Sequence, residues 1–176
     1  MHKRRSILAA ATAATALLMP TLSVPQADAA AKTFVIQNEN SWQCLRVKNH
    51  SKANNAPVVQ YSCTGNPPKP TKSTYWRQSG NRIVNAYTGK CLGIKGGKKK
   101  SGAPLIQKTC SSKASDQKWD FTLSKGWTTI HSWGTKNPGL YMAVKGSSVK
   151  VNAPIILEKD LYPVPQRQVF LKAPWH

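Results

Sequence analysis

Cations are the groups in this chain whose number and spacing could do chemistry. Lys95, Lys98, Lys99 and Lys100 fall in one short stretch, with Lys90 and Lys108 close to it. Ammonium groups at that density attract anions through a summed field that salt screens. A solvated basic turn that only keeps the protein soluble is the competing reading. The imbalance runs through the whole chain: 26 Lys and Arg stand against 6 Asp and Glu, a formal net charge of +20 in 176 residues. Beyond the leading segment the only arginines are Arg46, Arg77, Arg82 and Arg167. Point charges therefore outnumber bidentate forks, and sequence-specific reading of nucleic acid is not expected.

Catalysis has little to work with. A glycosidase needs two carboxyl groups across one scissile bond, and beyond the leading segment the acidic residues are Glu39, Asp116, Asp120, Glu158 and Asp160. Asp116 and Asp120 are close in sequence but flank Trp119, a position that suits structure better than a cleft. Neither G-x-S-x-G, H-E-x-x-H nor a phosphate loop occurs. A Ser-His-Asp arrangement has no fixed sequence spacing by which to find it. The expectation is a non-catalytic protein with no cofactor.

Cys44 and Cys63 are 19 residues apart, and so are Cys91 and Cys110. Of the three connectivities open to four cysteines, equal spacing inside two similar stretches favours Cys44 with Cys63 and Cys91 with Cys110. Each bridge would close a loop of about 20 residues, worth about 3 kcal/mol in the chain-entropy account. A metal site is the rival reading. There is no C-x-x-C pair, and His50, His131 and His176 stand at no ligand spacing from the cysteines, so none is expected.

These side chains belong to a chain that opens unlike the rest. Lys3, Arg4 and Arg5 precede an apolar stretch over residues 7–19, and Pro20 leads on to Ala27-Asp28-Ala29. A basic start, an apolar middle and a small-residue end read as a secretory signal peptide over residues 1–29. Its apolar run falls short of the roughly 20 residues that span a bilayer. Arg4-Arg5 fits a twin-arginine export signal and an ordinary one alike. Cleavage would leave 23 basic and 5 acidic residues, net +18, in a secreted protein where disulfides are the default. No later segment is long and apolar enough for a membrane span.

The remainder repeats itself. Cys44-Leu45-Arg46-Val47-Lys48, Cys91-Leu92-Gly93-Ile94-Lys95 and Tyr141-Met142-Ala143-Val144-Lys145 each reach an Ala-Pro pair 12 residues on: Ala56-Pro57, Ala103-Pro104 and Ala153-Pro154. Apolar pairs follow, then Cys63, Cys110 and Asp160. Each copy reads as about four short strands, since β-branched and aromatic runs alternate with Gly, Asn, Ser and Pro clusters. With 11 Gly and 12 Pro, helices of more than a few turns would be interrupted. Three such copies predict a closed all-β structure with pseudo-threefold symmetry. Trp76, Trp119 and either Gln168 or Val169 are expected to point into its core.

These motifs resemble the ricin B-type lectin repeat. The resemblance rests on Cys-Leu-x-Val, a Gly/Ser/Asn turn, Ala-Pro followed by two apolar residues, a second cysteine and Gln-x-Trp. It covers roughly residues 33–172 and implies a β-trefoil. Gln117-Lys118-Trp119 meets the last motif outright; Thr74-Tyr75-Trp76 keeps its Trp and Gln166-Arg167-Gln168 its Gln. The resemblance also implies where a sugar would bind. The family's acidic position falls on Arg46, Gly93 and Ala143, and its stacking aromatic on Tyr61, Lys108 and Glu158. Its polar pair falls on Ser73-Thr74, Asp116-Gln117 and Pro165-Gln166. No copy holds the full set, so galactose binding in the family's usual mode does not carry over.

The expected carbohydrate-binding residues are therefore Arg46, Tyr61, Ser73, Asp116 and Gln117, with Lys95, Lys98, Lys99, Lys100 and Lys108 as an anion-binding group. A tyrosine in Tyr61's place is more often a packed strand residue than a binding platform, and Asp116 with Gln117 also reads as a turn cap. The function expected is lectin-like binding of a glycan or anionic polysaccharide. The alternative is a protein-interaction subunit of a secreted toxin or assembly that has lost sugar binding. Mass spectrometry of protein recovered from the medium should find a first residue between Ala30 and Lys32; intact Met1 would overturn the signal-peptide reading.

Overall fold

Runs of β-branched and apolar residues only four to six long, each ended by a turn-forming cluster, have no helical alternative to compete with. In the computed structural model, which describes residues 32–63, 71–124, 127–135 and 139–174, twelve strands form and no α-helix occurs among the described residues. The predicted signal peptide lies outside them. The first repeat supplies β1 (Phe34–Asn38), β2 (Cys44–Val47), β3 (Val58–Tyr61) and β4 (Trp76–Ser79). The second supplies β5 (Arg82–Asn85), β6 (Cys91–Ile94), β7 (Leu105–Lys108) and β8 (Trp119–Ser124). The third supplies β9 (Trp127–Ser132), β10 (Leu140–Val144), β11 (Ile155–Lys159) and β12 (Phe170–Pro174).

The first and last strands of each repeat make a barrel. β1 pairs with β4 and with β12, β4 with β5, β8 with β9, and β9 with β12, all antiparallel. The Trp119 N–H closes the remaining gap by donating to the Asn81 carbonyl, 2.7 Å, just ahead of β5. The middle strands form three hairpins, β2 with β3, β6 with β7 and β10 with β11. This is the predicted β-trefoil.

The Ala-Pro motif joins the hairpins. Each Ala-Pro segment bridges to the neighbouring repeat, Pro57 to Ile106, Pro104 to Ile156 and Pro154 to Val59. The carbonyls of Ala56, Ala103 and Ala153 accept from the N–H groups of Gln107, Leu157 and Gln60. Proline suits the next position because no N–H is asked of it; its carbonyl accepts instead from Lys48, Lys95 or Lys145. Asn55, Gly102 and Asn152 precede the alanines with φ of 66°, 81° and 66°, a region that Gly and Asn enter at least cost.

Glutamine side chains then clamp two of the three hairpin turns. Gln60 donates to the carbonyls of Ser148 and Lys150, both 2.8 Å, and Gln107 to those of Ser51 and Ala53, 2.7 and 2.8 Å. The third repeat has Leu157 at this position, which has no amide to give. The turn carrying Lys98 and Lys100 is thus the one without that clamp.

Trp76 and Trp119 are fully buried, and each indole N–H donates 3.1 Å to a strand carbonyl, of Leu45 and Leu92. Their counterpart in the third repeat is Phe170, also fully buried, and neither Gln168 nor Val169 as the sequence suggested. Short 3-10 turns at Lys72–Thr74, Ser115–Gln117 and Gln166–Gln168 set the register. They align Gln168 with Gln117, so Gln168-Val169-Phe170 is the third Gln-x-Trp equivalent. Glutamine at both 166 and 168 lets a match by residue letter slip by two. Gln168 is buried as a polar group, donating 2.8 Å to the Lys159 carbonyl.

Both expected disulfides form, Cys44–Cys63 and Cys91–Cys110, with Cα separations of 5.5 and 5.0 Å. The third repeat replaces its first cysteine with Tyr141, whose ring packs on His131 at 5.3 Å. Burial first, and the Asp160 carboxylate second, push the Tyr141 phenol above its usual pKa. Denaturant unfolding should rank the third-repeat variants by this register: Phe170→Ala should cost about 3–5 kcal/mol, and Val169→Ala about 1 kcal/mol, as an ordinary half-buried truncation. Equal losses would overturn the assignment of Phe170 to the core.

Candidate functional site

Each repeat gathers the same positions at the mouth of its hairpin: the last-but-one residue of the hairpin's first strand (Arg46, Gly93 or Ala143), its turn, the end of its second strand, and the 3-10 turn before the last strand. In the first repeat these are Arg46, His50, Tyr61 and Ser73. The Arg46 guanidinium lies over the Tyr61 ring, its central carbon 3.2 Å from the ring centroid. Its Nη2 donates 3.3 Å to Oδ1 of Asn152, which arrives from the third repeat. Arg46 is only 6% exposed, and its Nε has no hydrogen-bond partner among the described residues. Burial lowers the Arg46 pKa, while Tyr61 works the other way. The Ser73 hydroxyl donates 3.2 Å to the Val47 carbonyl and lies 2.9 Å from Nδ1 of His50.

In the second repeat a lysine and an aspartate take over. Nζ of Lys108 pairs with Oδ2 of Asp116 at 2.8 Å. The stem of Lys108 lies where the missing acidic side chain would start: a Cβ on Gly93 would come 2.7 Å from Lys108 Cδ. Gln117 is turned to the backbone, donating to the Thr109 carbonyl and accepting from the Ser111 N–H, both 2.9 Å. In the third repeat the ion pair is reversed. Oε2 of Glu158 accepts from Nε of Arg167 at 2.7 Å, and Arg167, not Pro165, stands where Asp116 stands. The register slip at Gln166 explains that correction too. Every pocket thus holds a pair of its own: cation on ring, Lys with Asp, Glu with Arg.

The lysine group divides. Lys99 reaches away from the pocket, donating 2.6 Å to the Trp133 carbonyl, and Lys118 sits over the Trp133 ring at 5.0 Å. Burial lowers the Lys99 pKa; Asp116 opposes this and Lys118 reinforces it. Lys108 belongs to the Asp116 pair, while Lys95, Lys98 and Lys100 are exposed. Sequence reasoning missed Lys118 and His50. His50 was within reach, since it lies six residues after its cysteine as Gly97 does after Cys91. Among the described residues no group of three or more His, Cys, Asp or Glu side chains could hold a metal ion.

The Gly93 contact is open to a double-mutant test. Gly93→Ala should destabilise by about 1 kcal/mol as the Lys108 stem gives way, and the cost should vanish in a Lys108→Ala background. A cost independent of Lys108 would show that backbone conformation, not the side chain, excludes a Cβ there.

Comparison with known proteins agrees with this architecture. The family model of the ricin-type beta-trefoil lectin domain matches residues 32–160. A search of curated proteins returns no match. Among solved structures, the designed threefold-symmetric protein ThreeFoil superposes with a TM-score of 0.70 at 21% identity, over 81% of this chain and 99% of that one. An exo-beta-1,3-galactanase from Clostridium thermocellum gives 0.69 at 27% identity, over 82% of this chain but 30% of the enzyme. The Macrolepiota procera ricin B-like lectin, solved in complex with lactose, gives 0.64 at 15%, over 82% of this chain and 96% of the lectin. With three repeats in register, a closed barrel and a family match over well over half its length, the chain belongs to the ricin-type beta-trefoil lectin domain family.

Proposed function

We propose that the protein is a secreted, non-catalytic carbohydrate-binding protein whose ligand is an acidic glycan or anionic cell-surface polymer. Arg46 carries this reading. It occupies the position where the family's sugar-binding acid is expected, and its buried guanidinium has a ring and one amide oxygen as partners but no carboxylate among the described residues. A buried cation short of counter-charge is stabilised by an incoming anion that reaches the edge of the guanidinium. Lys99 and Lys118 beside Trp133 offer a second cationic contact with an aromatic surface. The two disulfides and the leading sequence pattern support secretion. Two neighbouring carboxylates are already engaged, Asp116 with Lys108 and Asp120 with His131 at 3.5 Å, which supports a binding role over hydrolysis.

An array of neutral and acidic glycans and cell-wall polymers, probed at low and high salt, tests the reading. Binding should favour acidic members, weaken with salt, and fall about tenfold or more in Arg46→Ala, the worth of one charge-assisted hydrogen bond. Salt-resistant binding of a neutral sugar, lost in Tyr61→Ala, would replace it with a sugar site of ordinary type. The ion pairs that fill the second and third pockets favour one other reading, an interaction subunit with a protein partner. A stoichiometric complex from culture fluid, with no glycan bound by the array, would establish it.

A further inference from the structure

Outside the three repeat pockets, the barrel wall carries a cleft of about 420 Å³ between β8, β9 and the approach to β12. Trp127 and Val169 line it, together with the polar residues Glu39, Thr122 and Thr129. The fold places each of them. On β9 the burial alternates, so Trp127 and Thr129 face outward while Thr128 and Ile130 face in. Thr122 on β8 is the register partner of Thr129. The Glu39 N–H donates 3.0 Å to the Val169 carbonyl, which fixes the acid beside the cleft. Trp42 meets the Trp127 ring edge to face, centroids 6.0 Å apart and planes at 74°, and steadies the indole. Among the described residues, the Glu39 carboxylate makes no hydrogen bond or ion pair, and no cation lines the cleft.

We propose that this cleft is a separate binding site for a neutral sugar ring. A pyranose presents an apolar C–H face and a rim of hydroxyl donors. An indole matches the first, and a carboxylate accepting two hydroxyls matches the second, with Thr122 and Thr129 able to donate or accept at the rim. The volume lies within the range of small-ligand pockets, about 300–1,000 Å³. An organic cation would also suit indole and carboxylate, but a chain of net charge +20 repels cations. A neutral ligand is indifferent to that field. The site shares no residue with the Arg46 pocket, so this inference and the acidic-glycan reading stand or fall separately.

Isothermal titration of the protein with lactose, cellobiose and diacetylchitobiose, and with choline as the cationic probe, tests it. At least one neutral disaccharide should bind at millimolar concentration, with an affinity unchanged between low and high salt. Trp127→Ala should abolish that binding and Glu39→Gln should weaken it about tenfold, the latter being a surface change that leaves the thermal melt in place. Arg46→Ala and Tyr61→Ala should leave it unaltered. The proposal is overturned if no disaccharide binds, if choline binds in their stead, or if a disaccharide binds equally to wild type and to Glu39→Gln.

Discussion

The trefoil depends on an exchange of backbone hydrogen bonds around its pseudo-threefold axis. Each Ala-Pro segment pairs with the second hairpin strand of the next repeat, and the third returns to the first, so the chain of contacts closes on itself. No repeat completes its own set of donors and acceptors. A buried backbone group left unpaired costs free energy comparable to a lost hydrogen bond, which ties the three hairpins to one another as firmly as the shared core does. The Trp76, Trp119 and Phe170 side chains then enter the barrel from equivalent directions. The site positions follow, because the residues at each hairpin mouth are held between that axis and the barrel.

That framework lets side-chain chemistry drift while the backbone stays. The three pockets occupy equivalent places yet contain different pairs: Arg46 on Tyr61, Lys108 with Asp116, and Glu158 with Arg167. The two ion pairs have opposite polarity in the same geometry, so the pocket constrains charge balance more than residue identity. Among the described residues, the first pocket is left with an arginine that no carboxylate pairs and an orphaned donor. Partly exposed pairs of this kind contribute little to stability, about 0–1 kcal/mol, and their larger effect is on what can enter.

Much of this was legible in the sequence, for reasons of spacing. Equal cysteine intervals gave the disulfides, the Ala-Pro interval the joints, and Trp76 and Trp119 the core. Residue letters misled where two glutamines stood two apart, and Phe170 was missed until the 3-10 turns set the register. What spacing does not encode is contact between repeats. Asn152 reaches Arg46 from more than 100 residues away, and Lys99 leaves its lysine neighbours for Trp133. Glu39 and Trp127 meet only because β1 and β9 both flank β12, and no interval in the sequence pairs them.

The ladder between β1 and β12 runs from Phe34 opposite Pro174 to Asn38 opposite Phe170. The strand that begins the fold is therefore completed by the strand that ends it. Contacts of such long sequence separation carry a heavy loop-closure entropy before they return any stabilisation, and folds built on them form slowly. While the chain is still being made, the barrel has a missing stave and two open strand edges. The barrel therefore closes only once β12 has been made.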